Sequence, residues 1–144
     1  MENLSGNVVR TSDVIGKKII GRNQEHLGKV EELVLDKLNG EIRYAVLARG
    51  GFMGIGCEFY AIPWAVLEYC TDHDAFEVKA SKEDLEKAPG FNKDSWPDFA
   101  DQHWDKSNRE FYNYIIVKSP MVHEQKDFSS EGGNNQPLNS RIQS

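Results

Sequence analysis

The pentapeptide Asp36-Lys37-Leu38-Asn39-Gly40 constrains this chain more than any other stretch, because β-rich runs stand on both sides of it. Asn-Gly supplies the positive φ that a tight turn demands, so the flanking runs are brought into an antiparallel hairpin. In the first run, Leu27 to Leu35, Val30 and Val34 share one parity while Leu27, Leu33 and Leu35 share the other. Such broken alternation implies a bulge or a strand buried on both faces. The return strand, Glu41 to Ala48, puts Ile42, Tyr44, Val46 and Ala48 on one face and Arg43, Ala45, Leu47 and Arg49 on the other. Apolar groups on both faces suit a sheet that curls into a small barrel.

The same strand-and-turn rhythm continues on either side. Ser12-Asp13 caps a short turn through Val14-Ile15, Gly16 resets the backbone, and Lys17 to Ile20 reads as a first strand. A further strand, Cys57 to Ile62, stops at Pro63, which has no N–H to give to a ladder. A helical turn from Trp64 to Leu67 leads to a last hairpin, Glu68–Thr71 and Ala75–Val78, across Asp72-His73-Asp74. Six short strands predict a mainly β fold, a small, mainly antiparallel barrel or sandwich, and closure into a barrel would remove exposed edges.

Between Arg49 and Trp64 lies RGGFMGIGCEFYAIPW, in which Gly50, Gly51, Gly54 and Gly56 surround Phe52, Met53 and Ile55. The glycines, like Asn39, Gly40 and Pro63, are read as structural turn positions. An exposed loop is ordinarily polar, so Phe52, Met53 and Ile55 are expected either to plug the barrel end or to line a subunit contact.

At Ser81 the pattern changes. Ser81-x-x-Asp84 forms a capping-box sequence, Leu85 and Ala88 follow, and Pro89-Gly90 ends a short helix. An aromatic, turn-rich segment from Phe91 to Phe99 precedes a second helix, about Ala100 to Tyr114, with Trp104, Phe111, Tyr112 and Ile115 as its buried side. The resulting organisation is a flexible lead-in over residues 1–11, the barrel over 12–80, and a helical, aromatic-rich extension over 81–117 packed on the barrel or a second subunit. A tail over 118–144, rich in Gly, Asn and Ser, is expected to be disordered.

Charge and composition exclude several function classes. A net charge of −6 argues against a broad basic surface for nucleic acid or anionic lipid. No apolar run reaches the roughly 18–20 residues that span a bilayer. The first ten residues lack the apolar core of a signal peptide, so a soluble cytoplasmic protein without membrane insertion is expected. Cys57 and Cys70 fit a reducing compartment, where small buried apolar thiols are the rule.

The chemical candidates are few. Asp72-His73-Asp74 and Asp101-x-His103-x-Asp105 bring hard oxygens near an imidazole. The first sits in a polar hairpin and the second on a helix whose carboxylates need not share a face, so neither is assigned a metal. Cys57 with His26 or His73 would be the pairing for a thiol nucleophile, but Cys57 stands beside Glu58 in a strand and lacks an electropositive setting. Gly50 to Gly56 leads into a strand without a Lys, unlike a phosphate cradle. Trp96, Phe99, Trp104, Phe111, Tyr112 and Tyr114 stand among Asp94, Asp98, Asp101 and Asp105, which favours packing over base stacking. No catalytic residue, cofactor or metal is assigned.

Ser12-Asp13-Val14-Ile15-Gly16-Lys17, Leu27-Gly28-Lys29-Val30 before Leu35-Asp36, and Asn39-Gly40 leading to Tyr44-Ala45-Val46 together resemble the PRC-barrel family. The likeness continues through Gly50-Gly51-Phe52-Met53-Gly54-Ile55-Gly56 to Ala61-Ile62-Pro63-Trp64, covering roughly residues 12–80. Ala88-Pro89-Gly90-Phe91 with Trp96-Pro97 and the following helix is similar to an extension on stand-alone bacterial members. The resemblance implies a compact β-barrel used for protein contacts, as in the H subunit of photosynthetic reaction centres and in a ribosome maturation factor. The expected function is a non-enzymatic interaction or assembly module that forms a homodimer and meets a protein partner not identified by the sequence. Phe52, Met53, Ile55, Trp64, Trp96 and Trp104 are its candidate contact residues. The competing expectation is a small-ligand or metal-binding sensor.

Overall fold

The computed structural model describes residues 7–50 and 56–118. Seven strands form one sheet: β1 (Lys18–Ile20), β2 (His26–Leu35), β3 (Ile42–Arg49), β4 (Glu58–Pro63), β5 (Glu68–Cys70), β6 (Ala75–Glu77) and β7 (Gly90–Phe91). Among the described residues they are accompanied by the α-helices α1 (Thr11–Val14), α2 (Lys82–Glu86) and α3 (Gln102–Lys118). The spatial order is β5-β6-β1-β2-β3-β4-β7.

The β2–β3 hairpin is built as the turn chemistry requires. Gly40 takes φ +79°, and its N–H donates to the Asp36 carbonyl at 2.8 Å. The Asp36 carboxylate accepts from the Leu38 N–H at 2.9 Å, and Asn39 Oδ1 accepts from the Glu41 N–H at 2.9 Å. The broken alternation in β2 is a real irregularity, since its register against β3 shifts between Val30 and Glu32 and again between Val34 and Leu35. Helix α2 starts with the reciprocal cap: the Asp84 N–H donates to Ser81 Oγ and the Ser81 N–H donates to the Asp84 carboxylate.

The sheet is mainly antiparallel, as the turn pattern implies, with one parallel pair, β1 beside β6, Lys18 opposite Ala75 and Ile20 opposite Glu77. Three expectations need correction. Among the described residues no pairing joins β5 to β7, so the hydrogen-bonded ladder stays open where a closed antiparallel barrel was expected. A seventh strand also appears where Pro89-Gly90 reads as a stop. Gly90 lies opposite Tyr60, and a Cβ there would meet the Tyr60 ring at 3.0 Å, so a larger residue would push that ring aside by a few tenths of an ångström for β7 to sit this close to β4.

The third correction concerns the thiols. Cys57 and Cys70 are free and only half-buried, Cys57 just before β4 and Cys70 at the end of edge strand β5, where neighbours on one side are missing.

The core lies on one face of the sheet. Ile19, Leu27, Val30, Ala45, Leu47, Tyr60 and Ile62 meet Val78, Leu85, Tyr112 and Ile115 there. The opposite face of β3 and β4 is also buried, through Tyr44, Val46, Phe59 and Ala61. Two-sided burial of these strands follows from α3, which places Tyr112 and Ile115 in the core cluster while its first turns lie against Tyr44. Residue by residue, the buried positions of α3 are Asn108, Tyr112 and Ile115, with Trp104 and Phe111 half-buried and Tyr114 exposed. The predicted tail falls almost wholly outside the described residues. Among those described, no helix is long and apolar enough to cross a membrane.

Candidate functional site

Two margins of the sheet carry the aromatic residues that the sequence singles out. At the β4–β7 margin, six rings form a connected cluster. Trp96 packs on Phe59 (5.3 Å between centroids) and Phe91 (5.0 Å), while Trp104 packs on Tyr44 and Phe99 (5.4 Å each). Edge-to-face and tilted geometries of this kind add attraction beyond the area they bury. Trp96 and Trp104, both candidate contact residues, are thus engaged within the chain.

Polar contacts fix the same margin. β7 covers β4 only at Phe59 and Tyr60. One residue further on, the Ala61 carbonyl accepts from Asn108 Nδ2 of α3 at 2.8 Å. Asp105 of α3 accepts from Arg109 Nε at 3.0 Å and from Arg43 Nη2 of β3 at 3.3 Å. Tyr60 donates to Glu58 Oε1 at 2.7 Å; burial first, and this bond second, push its phenol up to about 12. Burial pushes the Tyr112 phenol higher still, and its hydroxyl has no hydrogen-bond partner among the described residues.

The β5 margin is different. Trp64, in the 3-10 turn after β4, lies 5.5 Å from Phe76 of β6, and Tyr69 of β5 lies 5.4 Å from the same ring, edge-on. Together with Val9 and Val14 these rings wall a cavity of about 360 Å³, with Asp13 and Lys17 on its polar side. That size falls in the range of ligand and side-chain pockets. Lys17 Nζ donates to both Asp74 oxygens, at 2.7 and 2.8 Å, and the Tyr69 hydroxyl donates to Asp74 as well. The Lys17 and Tyr69 bonds hold the Asp74 carboxyl below its usual range, and the same bond to Asp74 raises the Lys17 ammonium. Of the candidate contact residues, Trp64 lines this cavity. Val14, Lys17, Tyr69 and Phe76 escape the sequence reading, although the register of the last hairpin, Tyr69 opposite Phe76, already puts those two on one face.

A second depression, of about 600 Å³, lies between β2 and the start of β4. His26 and Cys57 both line it, with Lys29, Arg49 and Lys82. The Cys57 thiol contacts the Glu58 carbonyl at 4.0 Å, and no hydrogen bond among the described residues joins it to His26. Gly50 (φ +75°) and Gly56 (φ +77°) bound the glycine loop with the positive φ expected of turn positions. Gly51, Phe52, Met53, Gly54 and Ile55 lie outside the described residues. Pro63 ends β4 as a buried residue opposite Tyr44.

The metal candidates are committed elsewhere. Asp74 serves Lys17 and Tyr69, Asp101 accepts from the His103 N–H at 3.0 Å, and Asp105 serves two arginines. Among the described residues no three His, Cys, Asp or Glu side chains are grouped to hold a metal ion.

No curated protein matches the chain. The PRC-barrel domain, by contrast, matches it over residues 6–85, more than half its length, taking in α1, β1 to β6 and the α2 cap but not β7 or α3. With strands β1 to β6 and their hairpins in place over that same span, the chain belongs to the PRC-barrel family.

Proposed function

We propose that this protein is a non-enzymatic interaction module that assembles with itself and with a protein partner. The observation that carries this reading is the β5 margin, where apolar Val9 (55% exposed) and Tyr69 (51%) stand by the cavity at the end of the sheet that no further strand covers among the described residues. Exposed apolar groups gathered beside an unpaired strand are a surface that a partner can cover. The PRC-barrel domain is of the general interaction and assembly type, which supports the same reading. Two free thiols accord with a reducing cytoplasm.

For self-association the proposed contact is the loop that carries Phe52, Met53 and Ile55, and the proposed product is a two-fold homodimer, the commonest closed oligomer. Sedimentation across micromolar concentrations tests it. A dimer is expected for the wild type and a folded monomer for Phe52→Ser, Met53→Ser. A wild-type protein that is strictly monomeric overturns the homodimer, and a variant that still dimerises removes the loop as its contact.

A further inference from the structure

We infer that the β5 margin receives an extended, basic protein segment that adds as a strand to β5 and inserts one bulky apolar side chain into the Trp64–Tyr69–Phe76 cavity. The inference rests on the protein-interaction reading above but not on self-association.

Three independent observations meet at this place. First, among the described residues β5 pairs only with β6, and no backbone hydrogen bond outside the ladder reaches Glu68 or Tyr69. Its outer edge is therefore a row of donors and acceptors ready for a further strand. Second, the cavity opens beside that edge rather than elsewhere on the molecule. Tyr69 belongs to β5 itself, Phe76 is its cross-strand partner, and Trp64 precedes the strand by a few residues. In strand addition the main chain supplies affinity and a pocket for alternate side chains supplies specificity, so a neighbouring cavity with aromatic walls suits one large apolar residue.

Third, charge selects the partner. The hairpin EYCTDHDAFE, residues 68–77, carries Glu68, Asp72, Asp74 and Glu77 and no Lys or Arg. Lys17 neutralises Asp74, and Lys17 and Lys18 lie at β1, two strands in from the edge. Glu68 and Asp72 thus remain exposed at the margin, and a segment with Lys or Arg on its outward face complements them. The other end of the sheet offers no such seat, because Asn108 and the six-ring cluster occupy it.

The test is titration of the ¹⁵N-labelled full chain with the capped heptapeptide Lys-Val-Lys-Phe-Lys-Val-Lys, followed by amide and indole resonances. Saturable shifts are expected at Glu68, Tyr69 and Cys70 and at the Trp64 indole, with slowed hydrogen exchange in β5. Replacing the peptide's Phe by Ala, or the protein's exposed Glu68→Lys, is expected to weaken binding about tenfold. Tyr69→Ala, also at an exposed position, gives a second handle on the cavity without disturbing the core. Several results overturn the inference: absence of binding, equal binding of a peptide N-methylated along one edge, or free indole filling the cavity as tightly with β5 amides unmoved. So do β5 shifts that depend on protein concentration alone, which would mean a second copy, and contacts from Leu4 to Trp64 that persist at peptide saturation, which would mean the chain's own lead-in. Failure with the loop-dependent dimer intact removes this inference alone; a monomer that binds the peptide retains it and removes the dimer.

Discussion

The β4–β7 margin and the β5 margin face the same physical problem and meet it in opposite ways. Each is the end of an open ladder and each carries large aromatic side chains. At the first, α3 reaches across: Asn108 takes up the Ala61 carbonyl, Trp104 and Trp96 close on Tyr44 and Phe59, and Tyr112 and Ile115 continue into the core. At the second, Tyr69 stays half in solvent beside a cavity, and the polar contacts are the surface bonds of Lys17, Asp74 and Tyr69. Aromatic content therefore does not predict a binding surface. What matters is whether the chain has another element long enough to cover the ring.

Breaking the covered margin should have the largest effect. Tyr112 is fully buried, so Tyr112→Ala is expected to cost about 3–5 kcal/mol in urea unfolding. Tyr112→Phe sharpens the point: it deletes a buried hydroxyl without a hydrogen-bond partner among the described residues and should leave stability unchanged or higher by up to about 1 kcal/mol. Asn108→Ala comes next. It strands the Ala61 carbonyl at an edge that β7 does not reach, at roughly 1–3 kcal/mol, and hydrogen exchange should rise in β4 before β2.

A smaller effect is expected between the margins, at the α2 cap. Burial pushes the Asp84 carboxyl up, but the Ser81 N–H and the Arg22 guanidinium at 2.8 Å more than offset it, and the net direction is down. A carboxyl depressed in the folded state contributes stability that is fully present above its unfolded pKa and is lost as pH falls through the folded one. Asp84→Asn should cost about 1 kcal/mol at neutral pH and should flatten the acid limb of the stability curve below the ordinary carboxylate value of 3.8. Melting curves from neutral to strongly acidic pH measure both. The smallest effect belongs to the bare margin: Tyr69→Ser should shift stability by less than about 0.5 kcal/mol. A loss as large as that at Asn108 would mean that the β5 margin is structurally engaged after all, and the contrast between the two ends would fail.

The β2–β3 hairpin, the α2 cap and the end of β4 at Pro63 were legible because turn and capping chemistry acts over two to five neighbouring residues. The irregularity in β2 was legible for a related reason, since a bulge breaks the two-residue period within a single strand. β7 was not, because Gly90 matters there through the Tyr60 ring, and a glycine after proline reads locally as a stop. For Trp96 and Trp104 the chain showed apolar surface without showing what covers it. Trp64 was picked out without the partners that make its cavity, because α1 and the β5–β6 hairpin are far apart in the chain.

What the sequence determined by itself is six of the seven strands, their turns and the family to which the barrel segment belongs. Only the tertiary structure decided that β6 lies parallel to β1, with Lys17 reaching Asp74 57 residues away, and that α3 covers one margin and leaves the other bare. The reason is physical: a turn is fixed by the dihedral preferences of the residues in it. A parallel pairing has no turn of its own, and the cover over a strand edge is chosen by whichever distant surfaces bury most when they meet.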